Sequence, residues 1–129
     1  MTVLHEGARP AEFLMSEARG QRSRENVTVA AGSGVIAPGA VLGVYTAGAS
    51  EGYYSLAPAE AADPDVGNQV AVAVALYGAD ATTDEQTISV IHRDAEVNRH
   101  SLVFASSVDD EPKREAKIAQ LRAAGIIAR

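Results

Sequence analysis

Apolar and polar positions alternate most strictly at the start of residues 69–104, QVAVAVALYGADATTDEQTISVIHRDAEVNRHSLVF. Val70, Val72, Val74 and Leu76 fall on one face of an extended chain, with Ala71, Ala73, Ala75 and Tyr77 on the other. Period two marks a strand, because successive side chains point to opposite faces. Branched valines suit a pleated surface, and the small alanine face lets another layer approach closely. The polar run GADATTDEQ, with Gly78, Asp80 and Asp84, predicts a turn, after which TISVIHR returns as a second β-rich segment. AEVNRHSLVF then predicts a third strand or an extended edge. Two long strands joined by an acidic loop form one wall of a small β-rich domain.

Upstream, NVTVAA (26–31) predicts a strand with Val27 and Val29 on one face, broken by Gly32-Ser33-Gly34. Pro38-Gly39 predicts a type II turn, proline fixing φ and glycine supplying a positive one. VLGVYT (41–46) predicts another strand, TAGASEG a loop, and YYSLA (53–57) a short strand. Residues 57–68 hold Pro58, Pro64, Glu60, Asp63 and Asp65, and predict a loop with at most one helical turn. The clearest helix comes late. Asp109 or Asp110 can cap it, Pro112 fits its first turn, and Gly125 can close it. Ile118 and Leu121 give it a narrow apolar stripe, and Ile126-Ile127 suggest a last short strand. Strands first and one late helix indicate an α+β, mostly β, single domain of antiparallel strands.

Residues 1–25 lack either period. Their one apolar knot, Phe13-Leu14-Met15, sits among charges and glycine. Two readings stay open: an extended N-terminal arm that orders against a partner, or a segment whose Phe13 and Leu14 dock on the protein's own core. We take residues 1–25 as the arm and 26–129 as the domain.

Composition narrows the picture. With two Phe, four Tyr and no Trp the core is light. The absence of cysteine excludes disulfides and thiolate metal sites. No apolar run is long enough to span a membrane, and the first thirty residues lack the pattern of a signal peptide, so synthesis and retention in the cytoplasm are expected. Charge is uneven. Residues 1–25 hold four Arg and four Glu, residues 26–92 hold seven acids and no Lys or Arg, and residues 93–129 hold seven bases and six acids. An acidic, base-free middle argues against direct nucleic-acid binding, which needs clustered cations to displace counterions.

Candidate chemistry changes little. Gly48-Ala49-Ser50-Glu51-Gly52 spells the G-x-S-x-G nucleophile elbow, with Asp63, Asp80, His92 and His100 following in order. The motif requires a sharp strand-to-helix turn, whereas Ser50 precedes Tyr-Tyr-Ser-Leu-Ala-Pro, a poor helix start. A serine hydrolase using Ser50 is therefore the alternative rather than the main reading. His5, His92 and His100, even with Asp94 or Glu96, match no zinc spacing. Gly32-Ser33-Gly34 lacks the lysine of a phosphate loop, and the chain has no lysine before Lys113 for a lipoyl-type carrier. We expect no catalytic residues, no metal and no cofactor.

One pattern extends along most of the chain. AEFLMSEARGQRSRENVTVAAG (11–32), APGAVLG (37–43), residues 72–104 with the AEVN quartet, and L-x-x-x-G-I-I-x-R (121–129) resemble the head decoration proteins of tailed phages and prophages, the family of phage lambda's capsid-stabilising protein D. Residues 47–68 are the least similar. The resemblance implies a virion protein made in the host bacterial cytoplasm and bound to the outer surface of the expanded head. It implies homotrimers over local three-fold positions that clamp the major capsid (coat) protein against internal DNA pressure, with no membrane partner. It further implies that the arm pairs with coat-protein strands. Phe13, Leu14, Met15, Ser16 and Glu17, with Asn26, Val27, Thr28 and Val29 of the following strand, are the expected capsid-binding residues. A free-standing phage binding module, such as a fibre or adhesin head, is the remaining alternative.

Overall fold

A computed structural model describes residues 7–129. Its centre is a closed barrel of five strands in the order β2-β5-β4-β6-β8: β2 (Arg24–Val29), β5 (Tyr54–Leu56), β4 (Val41–Val44), β6 (Ala71–Ala75) and β8 (Gln86–Ile91). Every pairing is antiparallel except β2 with β5, which meet in parallel at Val29 and Tyr54. A three-stranded sheet β1-β9-β10 stands beside the barrel, with β1 (Leu14–Glu17) and β10 (Ile126–Ala128) flanking β9 (Ala95–Val97). A two-stranded ribbon pairs β3 (Gly34–Ile36) with β7 (Ala79–Ala81). The single α-helix among the described residues, α1 (Glu111–Ala123), packs on β6 and β10. The domain is mostly β and mostly antiparallel with one C-terminal helix, as the hydrophobic pattern indicated.

The alternation in β6 serves two cores. Ala73 and Ala75 join Val27, Val29, Leu42 and Val90 in the barrel interior, where only small side chains leave room for the other strands. Val74 and Leu76 face outward into a second core with Phe13, Val97, Ile118 and Leu121. Close packing at β4 excludes even one methyl group, since a Cβ at Gly43 would collide with the Asn68 carbonyl. The helix begins and ends as its residues dictate. The Asp110 carboxylate accepts from the Lys113 amide at 3.0 Å, Pro112 occupies the first turn, and Gly125 takes φ +90° beyond the C-terminus.

The expected arm differs from what is found. The boundary set after residue 25 falls inside β2, and residues 11–25 pack into the domain as a turn, β1 and the first residues of β2. The reason is Phe13, which is 1% exposed and buried in the second core. Leaving a ring of that size in water would forfeit about 2–3 kcal/mol of burial. The alternative in which the knot docks on its own core thus describes Phe13. Missed strands are short: β3 and β7 have three residues each, and β7 is the weakly β-forming Ala-Asp-Ala.

Candidate functional site

A tight turn presents the segment around β1. Ala11 takes φ +58°, the Arg9 amide donates to Glu12 Oε2 at 2.9 Å, and the Leu14 amide donates to the Ala11 carbonyl at 3.0 Å. Phe13 is driven inward and Leu14 is half-buried against the same core. The register with β9 then slips: Leu14 faces Val97 and Ser16 faces Glu96, leaving Met15 without a partner in the ladder. Such a bulge turns the extra side chain away from the sheet. Met15 is accordingly 56% exposed, an apolar side chain in water on the edge strand of a three-stranded sheet.

Polar contacts fix what surrounds it. Ser16 Oγ donates to Glu96 Oε2 at 3.2 Å, and Arg129 Nε donates to Glu96 Oε1 at 3.0 Å, so one carboxylate ties β1, β9 and the residue after β10. The Arg24 guanidinium holds Glu17 through Nε and NH2, the closest contact 2.6 Å. That bidentate bond from Arg24 holds the Glu17 carboxyl below its ordinary value, and Arg129 followed by Ser16 does the same to Glu96.

The other expected capsid-binding residues separate by face. Val27 and Val29 point into the barrel, while Asn26 and Thr28 lie outside it opposite Ser89 and Thr87 of β8. Asn26 Oδ1 accepts from Ser89 Oγ at 2.7 Å. β1 and the outer face of β2 therefore present Met15, Ser16, Asn26 and Thr28, whereas Phe13, Val27 and Val29 hold those strands from behind.

The hydrolase motif lands in the wrong geometry. Ser50 lies in the connection between β4 and β5, where the Tyr53 amide donates to its carbonyl at 2.9 Å, and a strand follows rather than a helix. His92 Nε2 lies 3.0 Å from the Tyr54 hydroxyl, and His100 sits in the 3₁₀ turn Arg99–Ser101. His5 lies outside the described residues. Among those residues no cluster of His, Asp and Glu could hold a metal, and no helix is long and apolar enough to cross a membrane.

Two features had little sequence signal. In the sequence Glu96 is weighed only as a metal ligand and as part of a quartet, and its link between Ser16 and Arg129 is hidden because those partners are far away along the chain. Lys117 lies on the apolar stripe of α1 and is 2% exposed, its ammonium donating to the Gln69 carbonyl. Burial pushes its pKa down, opposed by Glu60. Within comparisons to known proteins, the family model of bacteriophage lambda head decoration protein D matches residues 3–126. No curated protein matches the chain.

Proposed function

Because the chain belongs to the family of bacteriophage lambda head decoration protein D, we propose that it binds the outer surface of the expanded head as trimers and stabilises the shell against internal DNA pressure. The observation that carries this reading is the reach of the family match, which runs from residue 3 to residue 126 and so takes in the barrel, β1, β9 and α1. The family is one of structural capsid proteins, and Ser50 lacks the turn that acyl chemistry needs.

The contact with the major capsid protein is carried by β1. As an edge strand it offers backbone groups to an added coat strand, which supplies affinity without demanding particular side chains. Met15 seats in an apolar pocket of the coat, Ser16 and Glu17 flank it, and Leu14 and Phe13 brace the strand from inside. Asn26 and Thr28 extend the same surface along β2, with Val27 and Val29 as its support. A protein that binds only the expanded lattice favours that lattice by mass action over its many sites. Residues 26–92, base-free and acidic, keep the exposed barrel from adhering to nucleic acid.

Co-sedimentation with purified heads tests the reading. The protein is expected to pellet with expanded heads and to remain in the supernatant with unexpanded ones. Ser50→Ala is expected to bind like the parent. Failure to pellet with any head form would remove the proposal.

A further inference from the structure

A cleft of about 470 Å³ runs between the N-terminal half of α1 and the segment Arg99–Val108. Its floor is apolar, with Leu102, Val108 and Ile118 each less than a tenth exposed. Its rim carries the guanidinium groups of Arg99 and Arg114 together with His100 and the carboxylate of Glu111. Arg99 meets Glu115 at 2.7 Å and Arg114 meets Glu111 at 3.4 Å, both pairs being open to solvent. A guanidinium has five N–H donors, so each of these arginines can take a second carboxylate beside its own.

The chain also carries a matching loop. Residues 60–65, EAADPD, form an exposed loop with three carboxylates and no base, and Ala61, Ala62 and Pro64 provide small apolar surface between them. The stem of that loop is fixed beside the cleft. The Ala59 amide donates to Ser107 Oγ at 3.0 Å. Loop and cleft thus occupy neighbouring flanks of one protomer. A head-to-tail contact between different patches makes a ring if its rotation closes and a filament if it does not. Neighbouring flanks suit a ring of few members, in which successive copies turn sharply.

We propose that the acidic loop 60–65 of one copy seats in the Arg99–Arg114 cleft of the next, and that three such contacts close the trimer. This rests on the trimeric decoration read above and names the surface that makes it. Asp63 and Asp65 reach the two guanidinium groups, and Ala62 and Pro64 cover Leu102 and Ile118. The contact needs no other protein, and salt weakens it because its charges sit at a solvated rim.

Cysteine pairing on decorated heads tests this, since the chain has none of its own. An Ala62→Cys chain and a His100→Cys chain, mixed in equal amounts, bound to expanded heads and oxidised, are expected to give a disulfide-linked dimer. Either variant alone is expected to stay monomeric, which excludes links between two like cysteines. In a second arm, Arg99→Glu with Arg114→Glu is expected to lower decoration at least tenfold, and adding Asp63→Lys with Asp65→Lys is expected to restore most of it. Heads bearing three copies per local three-fold position, yet giving no mixed dimer, would overturn this interface and leave the decoration reading intact. Heads that the parent chain does not decorate at all would overturn both.

Discussion

Phe13 and Met15 are two residues apart and both apolar, yet the structure buries one and exposes the other, and replacing each with alanine is expected to separate fold from binding. Phe13 is 1% exposed within the second core, in the company of Val97, Leu102 and Leu121. Truncating a buried Phe to Ala costs about 3–5 kcal/mol, the transfer of the ring plus the cavity it leaves. In a chain of 129 residues, 1 kcal/mol moves Tm by roughly 3–5 °C, so Phe13→Ala is expected to melt about 10–20 °C below the parent. Met15 is 56% exposed in a bulge, and its replacement is expected to change stability by no more than about 0.5 kcal/mol. Its effect falls on decoration instead, at least about tenfold weaker, or about 1.4 kcal/mol. Thermal melts followed by circular dichroism read the first effect, and co-sedimentation with expanded heads reads the second. A Phe13→Ala protein melting within about 2 °C of the parent would refute the placement of that ring. A Met15→Ala protein that decorates heads as tightly as the parent would refute its role.

Three further expectations follow from the same contacts. Deleting residues 1–25 removes Phe13, β1 and the start of β2, so the truncated chain is expected to lose its cooperative melt; a sharp transition in calorimetry would contradict that. Lys117→Ala removes a buried side chain and leaves the Gln69 carbonyl without its donor, a loss of about 2–4 kcal/mol readable by urea unfolding. Glu17 and Glu96 have folded pKa values lowered from the ordinary 4.5, so the stability they contribute is present above that value and is lost as pH falls through the lowered ones. Glu17→Gln is expected to flatten the acid side of the stability–pH curve; an unchanged curve would show that its bond to Arg24 contributes nothing.

The elements legible in the sequence were those whose pattern is local. Alternation revealed β6, Asp110 and Gly125 marked the ends of α1, and Gly39 at φ +88° bears out the Pro-Gly turn. Closure of the barrel was not legible, because β2 and β5 meet at the single pair Val29 and Tyr54 and nothing local specifies it. Nor was the sheet that carries the candidate site. β1, β9 and β10 are three or four residues long and come from the two ends and the middle of the chain, so no periodicity could join them. The knot at Phe13 was visible as apolar, but whether it faced its own core or a partner depended on contacts with Val97 and Leu102. Family resemblance supplied what periodicity could not, the family itself, without saying which side chains point outward.

The central claim is that this domain decorates the expanded head through β1, and a reconstruction of decorated heads tests it most directly. The expected density shows three copies around each local three-fold position, with Met15 and the β1 edge against the coat protein. Bare heads, single isolated copies, or trimers whose β1 faces away from the shell would contradict it.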